Sequence, residues 1–466
     1  MNARVLRTEL RRSAAPWAGL LVLGGSLAVL FAIDGIWWRG TAGWTAQWTS
    51  LAMWTRWLLG FWWPLVIGVG ALYGLRDARS GTAELFGTVP KPAWRRAALP
   101  AGAAAGTLTA GFGLVVAAGA VQVAAGGTAY WTPGWLPISL VAALALAAGA
   151  VFGMGVARAV PSVLTPPALV VLCLLTADML LRSSGDGAVP RGTAPNRLVL
   201  LSVVTVDPRE ALLTLAGRVH LGQALWFLGL AATGFALLVA ATRRARLLAV
   251  VPVLAGAALA LAVLPGDPLR TYVTDSAAAR PVCDGPVCVT ALNRARLPEL
   301  SARSAEALRV LDGVLGERAP RAVTEDSALR ALGDLRQVSA GAVLVDFDER
   351  EFAGASGQDL TRALVAQGLV PTCRARTDRE GGLVEDAAVQ SIAASWALGD
   401  SALVPVETPS SNGYDRQVWE EARAVWPVFA ALPPAEQRAR ITAVHEAALS
   451  CSTKRQLPVL AGSETR

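Results

Sequence analysis

Seven stretches of this chain stay apolar for about twenty residues at a time, the length a helix rising 1.5 Å per residue needs to cross about 30 Å of hydrocarbon. They run at approximately 15–33, 57–75, 101–125, 135–157, 162–181, 222–242 and 247–265. In lipid every backbone amide must find its partner within the spanning segment, so such runs fold as helices. The expectation is an α-helical polytopic membrane protein with about seven transmembrane helices. The first run follows "RTELRR" and leaves through "IDGIWWRG" with no small-x-small cleavage site, so it is a retained span and not a signal peptide. Beyond residue 265 no run of this kind recurs, which divides the chain into a transmembrane domain, 1–265, and a polar domain, 266–466.

Charge gives the orientation. Residues 1–265 carry 20 Lys or Arg against 8 Asp or Glu, and residues 266–466 carry 22 against 27, so the net +7 is a sum of opposites in which the hydrophobic part is the basic one. Arginines flanking apolar runs follow the positive-inside rule, whereas a nucleic-acid binder would gather them on a polar face; nucleic acid is excluded as a partner. Arg4, Arg7, Arg11 and Arg12 precede the first span, Arg76, Arg79, Lys91, Arg95 and Arg96 lie between the second and third, Arg158 between the fourth and fifth, and Arg243, Arg244 and Arg246 between the last two. All fall on one side, which is therefore cytoplasmic, and seven crossings put residues 266–466 outside. The loop 182–221, with five arginines, runs against this rule, although Asp186, Asp207 and Glu210 offset part of its charge. Cysteine usage agrees with the outward tail: Cys283, Cys288, Cys373 and Cys451 lie there and only Cys173 in a span. An even number suits an oxidising compartment. Of the three connectivities the expected one joins Cys283 to Cys288, across the turn sequence of "VCDGPVCV", and Cys373 to Cys451; the alternative is four unpaired thiols. Ala, Gly and Arg abound while Lys91 and Lys454 are the only lysines, a composition of a GC-rich bacterium, so the expected location is the bacterial cell membrane.

The connection between the second and third spans, "RDARSGTAELFGTVPKPAWRRAALP" (76–100), carries seven charges and is far longer than a turn requires. Ser80 or Thr82 can cap a helix, Glu84 suits its positive N-terminal end, and Val89-Pro90 and Lys91-Pro92 stop it. The result is a short amphipathic helix at the membrane surface presenting Leu85 and Phe86. Either it lies on anionic membrane lipid or it docks on a protein. The stretch resembles the loop after span 2 in permeases of type-two ABC transporters, where Gly-Thr, a short Glu-Leu helix and a proline with trailing basic residues recur. The basic "RVLRTELRRSAAP" ahead of the first span and "TVDPREALLTLAG" before the sixth are similar to that family too, and the likeness covers about residues 1–245. It implies that residues 81–88 form a coupling helix seated in a groove on a separate ABC ATPase subunit, with Gly81, Thr82, Glu84, Leu85 and Phe86 in contact. It also implies a second permease copy or a paralogue completing a dimer. The family usually ends after six spans, so the extra span and the outer domain fall outside the likeness. No Gly-Lys dipeptide occurs, hence no phosphate-cradling loop; this chain is not expected to be an enzyme, and ATP and Mg would belong to the partner.

Eight of the sixteen tryptophans lie between residues 37 and 63. Indoles favour the membrane interface, so a belt is the first expectation. The sharper one is a lipophilic substrate gripped near the outer leaflet by Trp54 and Trp57, with Arg56 as counter-charge to an anionic group. Asp178 and Arg182, four apart, are expected to pair on a helix.

The outer domain shows helical spacing in "LPELSARSAEALRVLDGVL", "DLTRALVAQGL", "DAAVQSIAASWAL" and "DRQVWEEARAVWPVFAAL", and a strand in "GAVLVDF", which predicts an α+β extracytoplasmic fold. "VHEAALS" begins like a zinc-peptidase H-E-x-x-H but has Leu449 at the second histidine's place, so His445 is expected to pack within a helix and no metal site is expected. "DFDERE" (346–351) has the acids but not the spacing of a calcium loop and is expected to be a solvated acidic turn. The function these features favour is the transmembrane subunit of an ABC exporter, coupling ATP hydrolysis by a separate ATPase to substrate movement. The alternative is a membrane-anchored extracytoplasmic binding or sensor protein whose tail contacts a ligand. A tethered hydrolase is the weakest of the three.

Overall fold

The computed structural model of the 466-residue chain describes residues 15–33, 36–38, 43–76, 92–127, 130–182, 185–189, 192–194, 196–204, 212–267, 270–328, 336–347, 349–373, 382–406, 413–452 and 454–462. Two compact units divide it: the first holds residues 1–38, 42–188 and 192–274, and the second residues 39–41, 189–191 and 275–466.

The first unit is built from α1 (Ala15–Ala32), α2 (Trp48–Trp57), α3 (Leu59–Gly74), α4 (Ala93–Gly126), α5 (Trp135–Ala159), α6 (Thr165–Arg182), α7 (Gly217–Val239), the short α8 (Arg243–Leu248) and α9 (Val251–Val263). Two small sheets accompany them, β1 (Gly185–Val189) with β2 (Gly192–Ala194), and β3 (Leu213–Leu215) antiparallel to β4 (Tyr272–Thr274). α1 shows why these helices belong in lipid. It buries Ala15, Gly19, Val22, Ser26 and Leu30 in one stripe while Leu20, Leu21 and Phe31 on the other faces are exposed. A helix apolar all round is matched to an apolar solvent. The same holds for α6 and α9, where Leu172, Leu175, Leu254 and Leu259 are exposed.

α5 is the hub, packed against α3, α7 and α4. Lipid tails are as apolar as leucine, so helices associate in a membrane through close backbone approach at small residues. Gly70 and Gly74 stand four apart on α3 and meet the carbonyls of Ala150 and Met154 on α5. Gly153 of α5 meets the carbonyl of Ile67 in return. A methyl group at any of the three would collide with the facing backbone, which only glycine avoids. Some polar side chains are satisfied by helix carbonyls: Trp63 Nε1 donates to the Ala145 carbonyl at 2.9 Å, and Thr55 Oγ1 to that of Leu51 at 2.8 Å.

Five helices among the described residues are long and apolar enough to cross a membrane, and the pair α2–α3, bent by 47°, makes up to six. This departs from the expected seven in one place. The segment expected at 162–181 forms α6, whose apolar part, Thr165–Leu180, is shorter than the others; Pro166 and Pro167 sit at its start, and the Asp178 to Arg182 pair, 2.7 Å apart as the four-residue spacing predicts, lies at its end. A second departure is α2. Residues 48–57 precede the second expected span, 57–75, yet are helical, forming the first limb of the bent pair.

The second unit has a four-stranded sheet in the order β5 (Pro281–Asp284), β6 (Val287–Thr290), β7 (Ala322–Glu325) and β8 (Ala342–Val345). β5 and β6 form an antiparallel hairpin with Gly285 at φ 58°, a left-handed turn position that glycine enters freely. β6, β7 and β8 run parallel. Around the sheet lie α10 (Leu297–Leu315), α11 (Arg350–Ala353), α12 (Gly357–Leu369), α13 (Gly382–Leu398), α14 (Gly413–Ala430), α15 (Pro434–Leu449) and α16 (Leu457–Ala461). α10 turns Leu297, Leu300, Ala307 and Leu311 inward, and α13 is buried through Ala388, Val389, Ile392, Ala393 and Ala394. Both join one core with Val323 and Val343 of the sheet. The helix-rich α+β expectation is met by a small sheet in a mostly helical unit.

Candidate functional site

The coupling residues Gly81, Thr82, Glu84, Leu85 and Phe86 lie outside the described residues. Their flanks are described. α3 ends at Gly74 with Leu75 buried behind it, and α4 begins after Pro92, eight residues before the apolar run does. Proline is at home there because the first helical amides have no partner to lose. On this first turn the Arg95 guanidinium sits 5.1 Å from the centre of the Trp94 ring, and Trp94 itself is exposed.

Trp54, Arg56 and Trp57 share α2. The Trp54 and Trp57 rings are 5.7 Å apart, and Trp37 packs on both at 6.0 and 6.1 Å. Trp37, Trp44 and Trp54 are buried, so these three of the eight indoles form interior packing and not a belt, while Trp38 is exposed. Arg56 is only 3% exposed. Its Nε donates to the Val203 carbonyl at 3.1 Å and one terminal nitrogen donates to Gln223 Oε1 at 2.6 Å. Gln223, on α7 and wholly buried, is fixed in turn by donating to the Leu200 carbonyl at 2.8 Å. Arg56 thereby ties α2 to α7 and to the segment 199–203. Its remaining nitrogen, Nη1, is buried without a hydrogen-bond partner. Sequence reasoning singled out Arg56 but missed Gln223, whose only signal was a lone amide in the apolar run of "HLGQALWF".

In the second unit both expected cysteine pairs are at bonding distance. Cys283 and Cys288 face each other across the β5–β6 hairpin with Cα atoms 4.1 Å apart, and Cys373 and Cys451 are 5.4 Å apart, joining the chain after α12 to the end of α15. Cys173 is free. The acidic turn is not solvated as expected. Asp346 is 7% exposed and pairs with Arg336 at 2.6 Å, and the same guanidinium holds Glu349. A partner ten residues upstream in an irregular segment leaves no periodic trace in sequence. Glu325, at the end of β7, accepts from the Thr290 amide at 2.6 Å and from Asn293 at 2.8 Å, and burial pushes its carboxyl above the usual range.

His445 packs within α15 beside Ile441 and Val444. Its Nδ1 lies 2.9 Å from the Leu369 carbonyl, which fixes that nitrogen as the donor, and burial keeps the imidazole below its ordinary range and so neutral. The ring also forms part of the wall of an open cavity of about 510 Å³ with Glu317, Arg318, Arg321, Gly341 and Leu449. Arg318 is paired there with Glu446. No cluster of three metal-ligating side chains occurs among the described residues. No protein-family model, curated protein or solved structure matches this chain.

Proposed function

We propose that the chain is the transmembrane subunit of an ABC exporter, working as a dimer with a second copy or a paralogue and driven by a separate ATPase that holds ATP and Mg. One observation carries the reading. Two membrane-length helical elements, the bent pair α2–α3 and α4, are joined by a charged, proline-punctuated stretch whose sequence places the capping residue types Ser80 and Thr82 just ahead of Glu84, Leu85 and Phe86. A lipid-surface loop gains from its basic residues but has no use for a helix-capping sequence, two adjacent apolar residues and the two X-Pro stops that follow them. In this proposal α6 also crosses, shortened by its terminal ion pair, so that seven spans put the N-terminus in the cytoplasm and the second unit in the extracytoplasmic space, where its cysteine pairs are stable.

The orientation has its own test. Reporters fused after Arg96 and Arg246 are expected to signal cytoplasm, and those after Gly127 and Pro281 the exterior. A cytoplasmic signal at Pro281 would contradict the seven-span topology. For the transport role, tagged full-length chain solubilised in mild detergent is expected to capture an ATPase in near-equal amount. The second reading, a membrane-anchored binding or sensor protein, is favoured by the cavity beside His445. It expects no ATPase in the capture.

A further inference from the structure

We propose that Arg56 anchors an anion-binding site in the first unit, taking one phosphate or carboxylate group on its free Nη1. The argument is one of charge. Arg56 is a permanent cation, 97% removed from solvent by its 3% exposure, and among the described residues no carboxylate pairs with it. The Val203 carbonyl and the Gln223 amide oxygen satisfy two of its nitrogens but are neutral. Water could satisfy the third and would still leave the charge uncompensated, which in a membrane-embedded interior is costly. An anion satisfies both.

The surroundings are those of a binding site and not of a stray arginine. Gln223 is clamped from behind by the Leu200 carbonyl, so the guanidinium plane is fixed before any ligand arrives. One more buried polar atom without a partner, Thr271 Oγ1, belongs to the residue next to Tyr272, which is within electrostatic reach of Arg56. That segment is joined to α7: the Ala216 amide donates to the Thr271 carbonyl at 2.9 Å, and His220, whose ring is hydrogen-bonded to the Leu215 backbone, stands one turn in from Ala216 and is within electrostatic reach of Arg56. A hydroxyl beside a guanidinium can supply a further hydrogen bond that a phosphoryl or carboxylate oxygen accepts. The same chemistry is offered by an anionic lipid headgroup and by a free small anion. The site does not depend on an ATPase partner, since every residue in it belongs to this chain.

The test is thermal unfolding of the purified full-length chain in nonionic detergent with phosphatidylglycerol, phosphatidylcholine or inorganic phosphate added. The expected result is a saturable rise in midpoint of several degrees with phosphatidylglycerol and none with phosphatidylcholine. A rise with inorganic phosphate as well identifies a free-anion site; a rise with phosphatidylglycerol alone identifies a headgroup site. Arg56→Met, similar in bulk but uncharged, is expected to abolish the rise, its own midpoint starting lower because the Val203 carbonyl and Gln223 Oε1 lose their donor, and Arg56→Lys to retain part of it. Should Arg56→Met fail to fold, the comparison is made on Arg56→Lys together with native mass spectrometry of the wild type, which is expected to retain an acidic phospholipid or phosphate. The proposal is overturned if neither anion shifts the wild type or if the shift survives in Arg56→Met.

Discussion

Gly153→Leu is expected to cost about 3 kcal/mol or more and to leave little folded protein. Overpacking a core commonly costs about 1 to 3 kcal/mol where side chains can move aside. Here the obstacle is the Ile67 carbonyl and the Ala71 amide, both backbone, which cannot move without separating α3 from α5. Because α5 also carries α7 and α4, the damage spreads through the first unit. The control is Gly102→Leu on α4, where the glycine faces open space and the change is expected to be nearly silent. Yield and thermal midpoint in detergent decide the matter. Equal stability of the two variants would mean that the glycines of α3 and α5 are not what holds the bundle together.

The disulfides are expected to differ in worth. A crosslink stabilises chiefly by limiting the unfolded chain, so its effect grows with the loop it closes. For Cys373 and Cys451, 78 residues apart, the chain-entropy estimate is about 4 kcal/mol; for Cys283 and Cys288, five apart, it is about 2 kcal/mol. The double replacement Cys373→Ala with Cys451→Ala should therefore accelerate amide exchange of the buried α13 residues Ile392 and Ala393 about a thousandfold, and the hairpin pair only about thirtyfold. Equal acceleration would mean that local geometry and not loop closure sets the stabilisation.

The parts of the fold legible in sequence are those fixed by local periodicity. Leu297, Leu300, Ser304, Ala307 and Leu311 recur every three or four residues along the buried face of α10, which begins where that pattern does. "VCDGPVCV" carries its own turn, so the hairpin and its cysteine pair could be placed together. Non-local features were hidden. β7 is four residues long and earns its place only by lying parallel between β6 and β8. α2 was concealed because Thr49, Ser50, Thr55 and Arg56 lower its hydropathy, yet all four are buried, two of them with hydrogen bonds to carbonyls. The Arg56 to Gln223 contact spans 167 positions, beyond the reach of any window. Arg336 with Asp346 and Glu349 was missed for a related reason, since an irregular segment carries no period to read.

The role of residues 81–88 is the claim on which the transporter account rests. If Leu85 and Phe86 fill a groove on the ATPase, burial of each contributes about 1.5 to 3 kcal/mol. Changing both to Asp removes that burial and adds two carboxylates to be desolvated, so the loss must exceed the roughly 1.4 kcal/mol that corresponds to tenfold in affinity. The measurement is the amount of ATPase captured per unit of full-length Leu85→Asp, Phe86→Asp chain, alongside its level in the membrane. The account predicts normal membrane levels with capture reduced more than tenfold; unchanged capture at normal levels would contradict it.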